Sequence, residues 1–314
     1  MKRVNYPLIV LALVGVICLT TVVLAQEDSV LLRYRWIPEE VLGYKVSAHV
    51  KASSQGRWLM TTDINIDFTL TVRKIEEDIA DVDLQYLSEC MTMKVAGAGK
   101  MEVTVDKDKI EAFLNGEPLP RRDLEGLKRE LRPVQELMKH PVTLQITPRG
   151  EILGVEGADE EMKQYFTIGM VLPEAPLEKG DKFESMKSFG AVLPELQDDV
   201  ELTYVYIFQG IEGDHLAHID GSLVENIKGV IIEGFRCDLN FNITYTSFFD
   251  TKNGYFTREE GKGKVIIDAV GAPAIEEEIT IEAVLVDVFI PNFTTVSPRD
   301  RLVTTWGSIK DGRR

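Results

Sequence analysis

Apolar and polar residues alternate along most of this chain. Between Asp63 and Val72 every second residue is apolar, which predicts a β-strand with one buried face and one wet face. Ala80 to Leu87 and Val200 to Phe208 follow the same period of two. The apolar positions that we expect to face the interior include Ile64, Ile66, Phe68, Leu70, Leu202, Tyr204 and Tyr206. The pattern therefore predicts a mainly β fold of the α+β class, with antiparallel sheets.

Two windows depart from this alternation and predict helices. From Arg122 to His140, apolar residues recur at intervals of three and four, which is the spacing of an amphipathic helix. Pro133 lies inside this window, so we expect it to kink or divide the helix. The second window runs from Asp159 to Val171. We expect both helices to pack against the first part of the sheet, or one of them to cover an apolar cavity there.

The two halves of the chain resemble each other weakly. Asp63 to Phe68 aligns with Asp199 to Tyr204, and the turns that follow align at a nearly constant spacing. We interpret this likeness as a tandem duplication. Pro173 and Pro176 mark the boundary between the halves. The predicted order is a first antiparallel β unit with two helices (26–172), a related second β unit (173–290), each a sheet or half-barrel, and a polar tail (291–314).

The order of residues at the N-terminus is typical of an exported protein. Lys2 and Arg3 precede an apolar stretch from Leu8 to Ala25, and Val23 and Ala25 hold the −3 and −1 positions of a cleavage site. This order predicts a signal peptide (1–25) that is cleaved after Ala25, and a periplasmic or extracellular protein. An uncleaved membrane anchor is the alternative, because the stretch reaches about 18 residues, the lower limit for spanning a bilayer.

The composition limits the classes of partner. Lys and Arg total 35 against 51 Asp and Glu, so the formal net charge is −16. A protein this acidic repels phosphate backbones, which argues against nucleic acid as a partner. The same charge argues against a polybasic membrane patch. We therefore expect contact with a membrane only through an uncleaved N-terminal segment.

Two cysteines, Cys90 and Cys237, remain after the predicted cleavage. An exported protein can join them in a disulfide, which would close a large loop and stabilise the fold by about 4–5 kcal/mol in the chain-entropy model. Two buried free thiols in separate strands are the alternative, since a free cysteine behaves as a small hydrophobic residue.

Searches for catalytic and metal-binding patterns find no signature in the sequence. It has no nucleophile elbow, no phosphate-binding loop and no zinc-protease motif. His215 and His218 are three residues apart on a predicted strand, so their rings face opposite sides. We therefore expect no catalytic residue, no metal and no other cofactor.

Carboxylates recur at every second position on two predicted strands. Asp63 and Asp67 share one face, and Asp81 and Asp83 share another. Such pairs can serve a hydrolase as acid and base. The alternation favours the other interpretation, in which these carboxylates form the solvent-exposed face of a half-buried strand. Glu276 to Glu278 is expected to form a charged turn.

Two segments carry a resemblance to a known family. Pro176 to Phe183 contains a proline, then Lys-Gly-Asp and an aromatic residue, and Phe248 to Phe256 is a strand-turn-strand passage. The chain thereby resembles an uncharacterised family of exported bacterial β-rich proteins and lipoproteins with a repeated Pro-x-x-Lys-Gly-Asp phrase. It departs from the lipoproteins because Ile17 precedes Cys18, which is not a lipoprotein signal. The expected architecture is also similar to that of periplasmic lipoprotein carriers, whose open half-barrel holds acyl chains.

These patterns favour an exported, non-enzymatic protein. We expect it to bind a lipid, another apolar or amphiphilic ligand, or a component of the cell envelope between sheet and helices, against the seven interior positions named above. A structural or protein-interaction module of the envelope with a filled core is the first alternative. A carboxylate-dependent hydrolase is the second.

Overall fold

The computed structural model describes residues 29–158, 170–188, 201–232 and 235–289. The predicted signal peptide, most of the second helical window and the predicted tail lie outside these residues. The strands of the described residues are β1 (Val41–Ser54), β2 (Arg57–Glu76), β3 (Ile79–Val95), β4 (Gly99–Val105), β5 (Ile110–Leu114), β6 (Glu117–Pro118), β7 (Val142–Ile146), β8 (Ile152–Glu156), β9 (Lys182–Ser188), β10 (Glu201–Glu212), β11 (Leu216–Ile232), β12 (Phe235–Asp250), β13 (Tyr255–Ala269) and β14 (Ile275–Phe289). One helix, α1 (Arg121–Lys139), connects β6 to β7.

These strands form one large sheet with antiparallel pairing, which confirms the predicted antiparallel β class. Twelve strands follow the order β6-β5-β4-β3-β2-β1-β14-β13-β12-β11-β10-β9, while β7 pairs with β3 and β8 pairs with β7. Strand β1 pairs with β14 along its whole length, from Val41 opposite Phe289 to Ser54 opposite Ile275. The structure is therefore a single open sheet rather than the two distinct units that we predict from the sequence. Pairing satisfies the free N–H and C=O groups that β1 and β14 would otherwise expose as edges.

The strands that carry the predicted duplication occupy corresponding places in the sheet. The aligned segments fall on β2 and β3 in the first half and on β10 and β11 in the second. Strands β1 to β6 follow one another across the sheet in the same direction as strands β9 to β14. The order of strands is compatible with a translational repeat. The duplication itself stays a prediction.

The helix α1 begins and ends within one residue of the predicted window. Its buried side chains, Leu131, Val134, Leu137 and Met138, belong to the hydrophobic core. The helix packs against β3 and β5, as expected for a helix against the first half of the sheet. Pro133 does not divide it, because helical geometry continues to Lys139.

The strand connections define two ends of the sheet. We call the end with the β1–β2, β3–β4, β5–β6, β11–β12 and β13–β14 turns the rim, and the end with the β2–β3, β7–β8, β10–β11 and β12–β13 turns the base. Residues 29–37 and 170–178 cross the base, where Val30 and Leu177 exchange backbone hydrogen bonds of 2.8 Å. The Tyr34 hydroxyl donates to the carbonyl of Met170 over 3.0 Å. The predicted boundary at residues 172 and 173 falls within this crossing segment.

Candidate functional site

The seven interior positions predicted from the alternation are all buried. Their exposed fractions run from 1% for Ile66 and Leu202 to 6% for Phe68. They fall in a single hydrophobic cluster that also takes in residues of α1. The four positions on β2 and the three on β10 are not neighbours, because five strands lie between them. With a strand spacing of about 4.8 Å, this separation is roughly 29 Å along the sheet.

One continuous row of directly paired residues connects the two groups. It runs from β9 to β5 through Phe183, Tyr206, Gly221, Tyr245, Gly261, Ile281, Ala48, Ile64, Met91, Val103 and Ala112. Directly paired residues point to the same face of an antiparallel sheet, so this row lies on the buried face throughout. The structure therefore brings the predicted positions onto one wall, although it does not bring them into contact.

Glycines make room for two aromatic rings of this row. A Cβ atom on Gly221 would lie 2.9 Å from Cδ1 of Tyr206, and a Cβ on Gly261 would lie 2.9 Å from Cδ1 of Tyr245. Each ring therefore covers the backbone of the next strand. The ring centroids of Tyr204 and Tyr206 are 6.4 Å apart, and those of Tyr204 and Tyr245 are 6.0 Å apart.

This tyrosine cluster encloses a buried carboxylate. Glu259 on β13 is 5% exposed, and its Oε2 accepts a hydrogen bond of 3.1 Å from the hydroxyl of Ser247. Burial, together with the charge of Glu259, raises the pKa of Tyr204, Tyr206 and Tyr245 above the ordinary tyrosine value. The three phenols consequently stay protonated and can donate hydrogen bonds.

Two further carboxyl groups face the interior. Glu89 on β3 and Glu277 on β14 are 2% and 3% exposed, and burial raises the pKa of each to about 7. Glu277 corrects the prediction that Glu276 to Glu278 forms a charged turn, because all three residues belong to β14. The sequence contained the signal: Glu277 is in phase with Ile279 and Ile281 at a period of two.

The sequence signal for Glu89 is ambiguous, because Glu89 is in phase with Met91 and Met93 but out of phase with Ala80 and Val82. A bulge interrupts the pairing of β2 with β3, so that Phe68 faces Tyr86 while Ile66 faces Glu89. The extra residue shifts the alternation by one position. Simple counting from the strand start therefore places Glu89 on the wrong face.

Several buried polar atoms on this wall lack a hydrogen-bond partner among the described residues. They include Thr62 Oγ1 on β2, Glu89 Oε2 on β3 and Ser185 Oγ on β9. Leaving a polar atom buried and unpaired costs about 1–3 kcal/mol. The wall is thus apolar over most of its area and carries a few hydrogen-bonding groups at separate points.

The carboxylates that suggest a hydrolase lie elsewhere. Asp63 is half exposed and contacts His49 at 2.6 Å, and Asp67 lies 3.6 Å from the Lys45 ammonium group. Their strand neighbours Ile64 and Ile66 are buried, so these two aspartates occupy the outer face, as the alternation predicts. They do not converge with the interior carboxyl groups.

The second predicted pair, Asp81 and Asp83, is also held in ion pairs. Asp81 lies 3.3 Å from Nζ of Lys74, and Asp83 pairs with Arg73. Asp83 is buried, which corrects the expectation that it lies on a solvent-exposed face, and it also accepts a hydrogen bond of 2.7 Å from Thr143 on β7. Its role in the structure is to connect β3 to β7.

The two histidines that are close in sequence have different surroundings. His215 Nε2 lies 3.6 Å from Asp250 Oδ2, whereas His218 contacts Glu212 at 2.9 Å and Asp220 at 3.2 Å. Within the described ranges, no group of three histidine, cysteine or acidic side chains is placed to hold a metal ion.

The two cysteines that could form a disulfide are not joined in one. Cys90 is exposed on β3, whereas Cys237 is buried on β12. Four strands separate β3 from β12, so the distance along the sheet is roughly 24 Å. A disulfide requires Cα atoms about 4.4–6.8 Å apart. The structure therefore holds the two thiols apart. They lie in separate strands, as in the alternative of two buried thiols, but only Cys237 is buried.

Among the described residues, no helix has the length and hydropathy required to cross a membrane.

Comparison with known proteins finds distant likenesses. No protein-family model and no curated protein matches the sequence. A lipovitellin structure, described by its lipid-protein interactions, matches with a TM-score of 0.46 and 8% identity over 84% of this chain and 27% of that chain. DynF from the dynemicin biosynthesis pathway of Micromonospora chersina matches with a TM-score of 0.23 and 11% identity, over 78% of this chain and 81% of its own. An outer membrane channel from Pseudomonas putida F1 matches with a TM-score of 0.23 and 8% identity, over 85% of this chain and 100% of its own. This chain thus spans about a quarter of the lipovitellin chain. Likenesses this distant carry no functional argument.

Proposed function

We propose that this is an exported, non-enzymatic protein that binds an amphiphilic ligand against the buried face of its sheet. The observation that carries the proposal is the set of unpaired polar atoms on an otherwise apolar wall. A ligand with an apolar body and hydrogen-bonding groups would cover the apolar rows and supply partners for Thr62, Glu89 and Ser185. Export is proposed from the order of residues at the N-terminus.

A second function is favoured by the burial of the lining positions. All seven are at most 6% exposed, and side chains of α1 belong to the same cluster. A wall that the protein's own side chains cover completely would leave no volume for a ligand. The protein would then be a structural or protein-interaction module of the cell envelope, with the sheet as its scaffold.

The two functions predict different results for the isolated protein. Native mass spectrometry of the exported protein should detect bound acyl species, and cis-parinaric acid should bind to the delipidated protein with an increase in its fluorescence. Failure of both measurements on the folded protein would refute ligand binding and favour the module.

A pair of substitutions on β1 tests whether the ligand binds to the inner face. Ala48 lies in the continuous row between Ile281 and Ile64, whereas Ser47 points to the outer face and contacts Asn65. Ala48→Phe should fill the space beside the row and weaken binding of cis-parinaric acid at least tenfold, while Ser47→Phe leaves it unchanged. Circular dichroism melting of both variants separates blocked binding from misfolding. Equal affinities in two folded variants would place the ligand elsewhere.

A further inference from the structure

The rim of the sheet exposes a series of large apolar side chains. Trp58 follows the β1–β2 turn and is 43% exposed, Phe235 begins β12 and is 55% exposed, and Val270 in the β13–β14 turn is 75% exposed. Phe113 and Leu114 at the end of β5, together with Ile231 at the end of β11, are exposed at the same end. Single exposed apolar residues are common, but aromatic side chains at several neighbouring turns mark an interaction surface.

The charges of the rim differ from those of the whole protein. The protein has a net charge of −16. The rim turns nevertheless carry the cations Arg57, Lys94, Lys100 and Arg236, of which Lys100 is paired with Glu102 at 2.6 Å. The acids in the same described turns are Glu117, Asp268 and Glu276, of which Glu276 is paired with Lys264 at 3.7 Å. Arg57 and Arg236 directly adjoin Trp58 and Phe235 in the chain, so a cation stands beside each of the two aromatic tips.

The base of the sheet differs from the rim in the charge of its turns. It also exposes apolar residues, Val288 and Phe289, at the end of β14. The turns around them are acidic, however, and include Glu76 to Asp78 between β2 and β3. Acidic turns repel the phosphates of lipid headgroups, whereas the arginines and lysines of the rim attract them.

We propose that the rim docks on a lipid bilayer, with the apolar tips inserted among the acyl chains and the flanking cations at the phosphates. Tryptophan favours this position because its ring is apolar and its N–H can reach polar groups at the interface; in the structure, Nε1 of Trp58 donates to Thr61 over 2.9 Å. The sequence led us to expect membrane contact only through an uncleaved N-terminus, because the overall charge conceals that cations and acids nearly balance at the rim and that Arg57 and Arg236 adjoin its aromatic tips. This inference does not depend on a ligand in the interior.

Flotation with vesicles tests the docking surface. The exported protein should float with phosphatidylcholine vesicles that contain 30% phosphatidylglycerol. In the double variant Trp58→Ser, Phe235→Ser, the ratio of vesicle-bound to free protein should fall at least tenfold. The matched double variant at the base, Val288→Ser, Phe289→Ser, should keep the native value. Equal flotation of the two double variants, or no flotation of the native protein, would overturn the proposal.

Two further measurements exclude other occupants of the rim. In a Trp306→Phe background, vesicles with brominated acyl chains should quench the fluorescence of Trp58, whereas Trp36 is 8% exposed and should be protected. Absence of quenching would contradict insertion. Size-exclusion chromatography of the lipid-free protein should show a monomer. A dimer that the Trp58→Ser, Phe235→Ser variant abolishes would mean that a second copy, and not a bilayer, covers the rim.

Discussion

The buried carboxyl group of Glu89 predicts that the protein is more stable in mild acid than above neutrality. Ile66 and Val105 are its direct partners on the neighbouring strands, and burial raises the pKa of Glu89 from 4.5 to about 7 in the folded protein. Between these two values the unfolded chain loses a proton that the folded protein keeps. The free energy of unfolding therefore falls as the pH rises from about 4.5 to 7, and the loss is complete above 7.

The magnitude follows from the two pKa values. A difference from 4.5 to about 7 corresponds to about 3 kcal/mol once both states are ionised, since a shift of one pKa unit corresponds to about 1.4 kcal/mol. At pH 5 only a small part of this penalty is present, and at pH 8 almost all of it. Glu89→Gln removes the ionisation. The free energy of unfolding of the variant minus that of the native protein should thus grow by about 2–3 kcal/mol between pH 5 and pH 8.

Urea unfolding followed by circular dichroism at the two pH values measures this difference. Any constant cost of burying the amide cancels, because it is the same at both pH values. The control is Glu102→Gln on the neighbouring strand β4, whose side chain is 42% exposed and lies beside Lys100. It should leave the pH dependence as in the native protein. A difference between Glu89→Gln and the native protein that does not change with pH would refute the burial of an ionisable Glu89.

Two more predictions concern glycines and thiols. Gly221→Ala should lower the free energy of unfolding by about 1–3 kcal/mol in thermal unfolding, because the new Cβ atom meets the ring of Tyr206. Gly126→Ala in α1 has open space around the new Cβ atom and should raise the free energy of unfolding by up to about 1 kcal/mol. Equal effects of the two substitutions would contradict the position of the Tyr206 ring. Maleimide labelling of the protein cleaved after Ala25 should modify Cys90 within minutes, because it is exposed, and Cys237 only in denaturant, because it is buried. If mass spectrometry of the denatured protein detects no maleimide on either cysteine, the separation of the two cysteines is disproved.

Part of the site follows directly from local alternation. The inward positions of β2 and β10 are buried as predicted, and Asp63 and Asp67 are on the outer face. Local alternation could also have identified Glu277, but the prediction of a turn there was wrong, because three consecutive glutamates suggest solvent more strongly than a strand. Counting forward from Ala80 places Glu89 on the outer face and counting back from Met91 places it on the inner face, because the bulge between them arises from the pairing with β2.

The sequence by itself determined that segments such as 63–72, 80–87 and 201–208 are extended, which of their apolar residues face inward, and where α1 begins and ends. These features depend on backbone geometry and on periods of two and 3.6 residues, which are local properties of the chain. Only the tertiary structure decided that β1 pairs with β14 and joins the two halves into one sheet. It also decided that cations and aromatic residues from distant turns meet at the rim. Strand pairing connects residues far apart in the chain, and no local pattern specifies the partner of an edge.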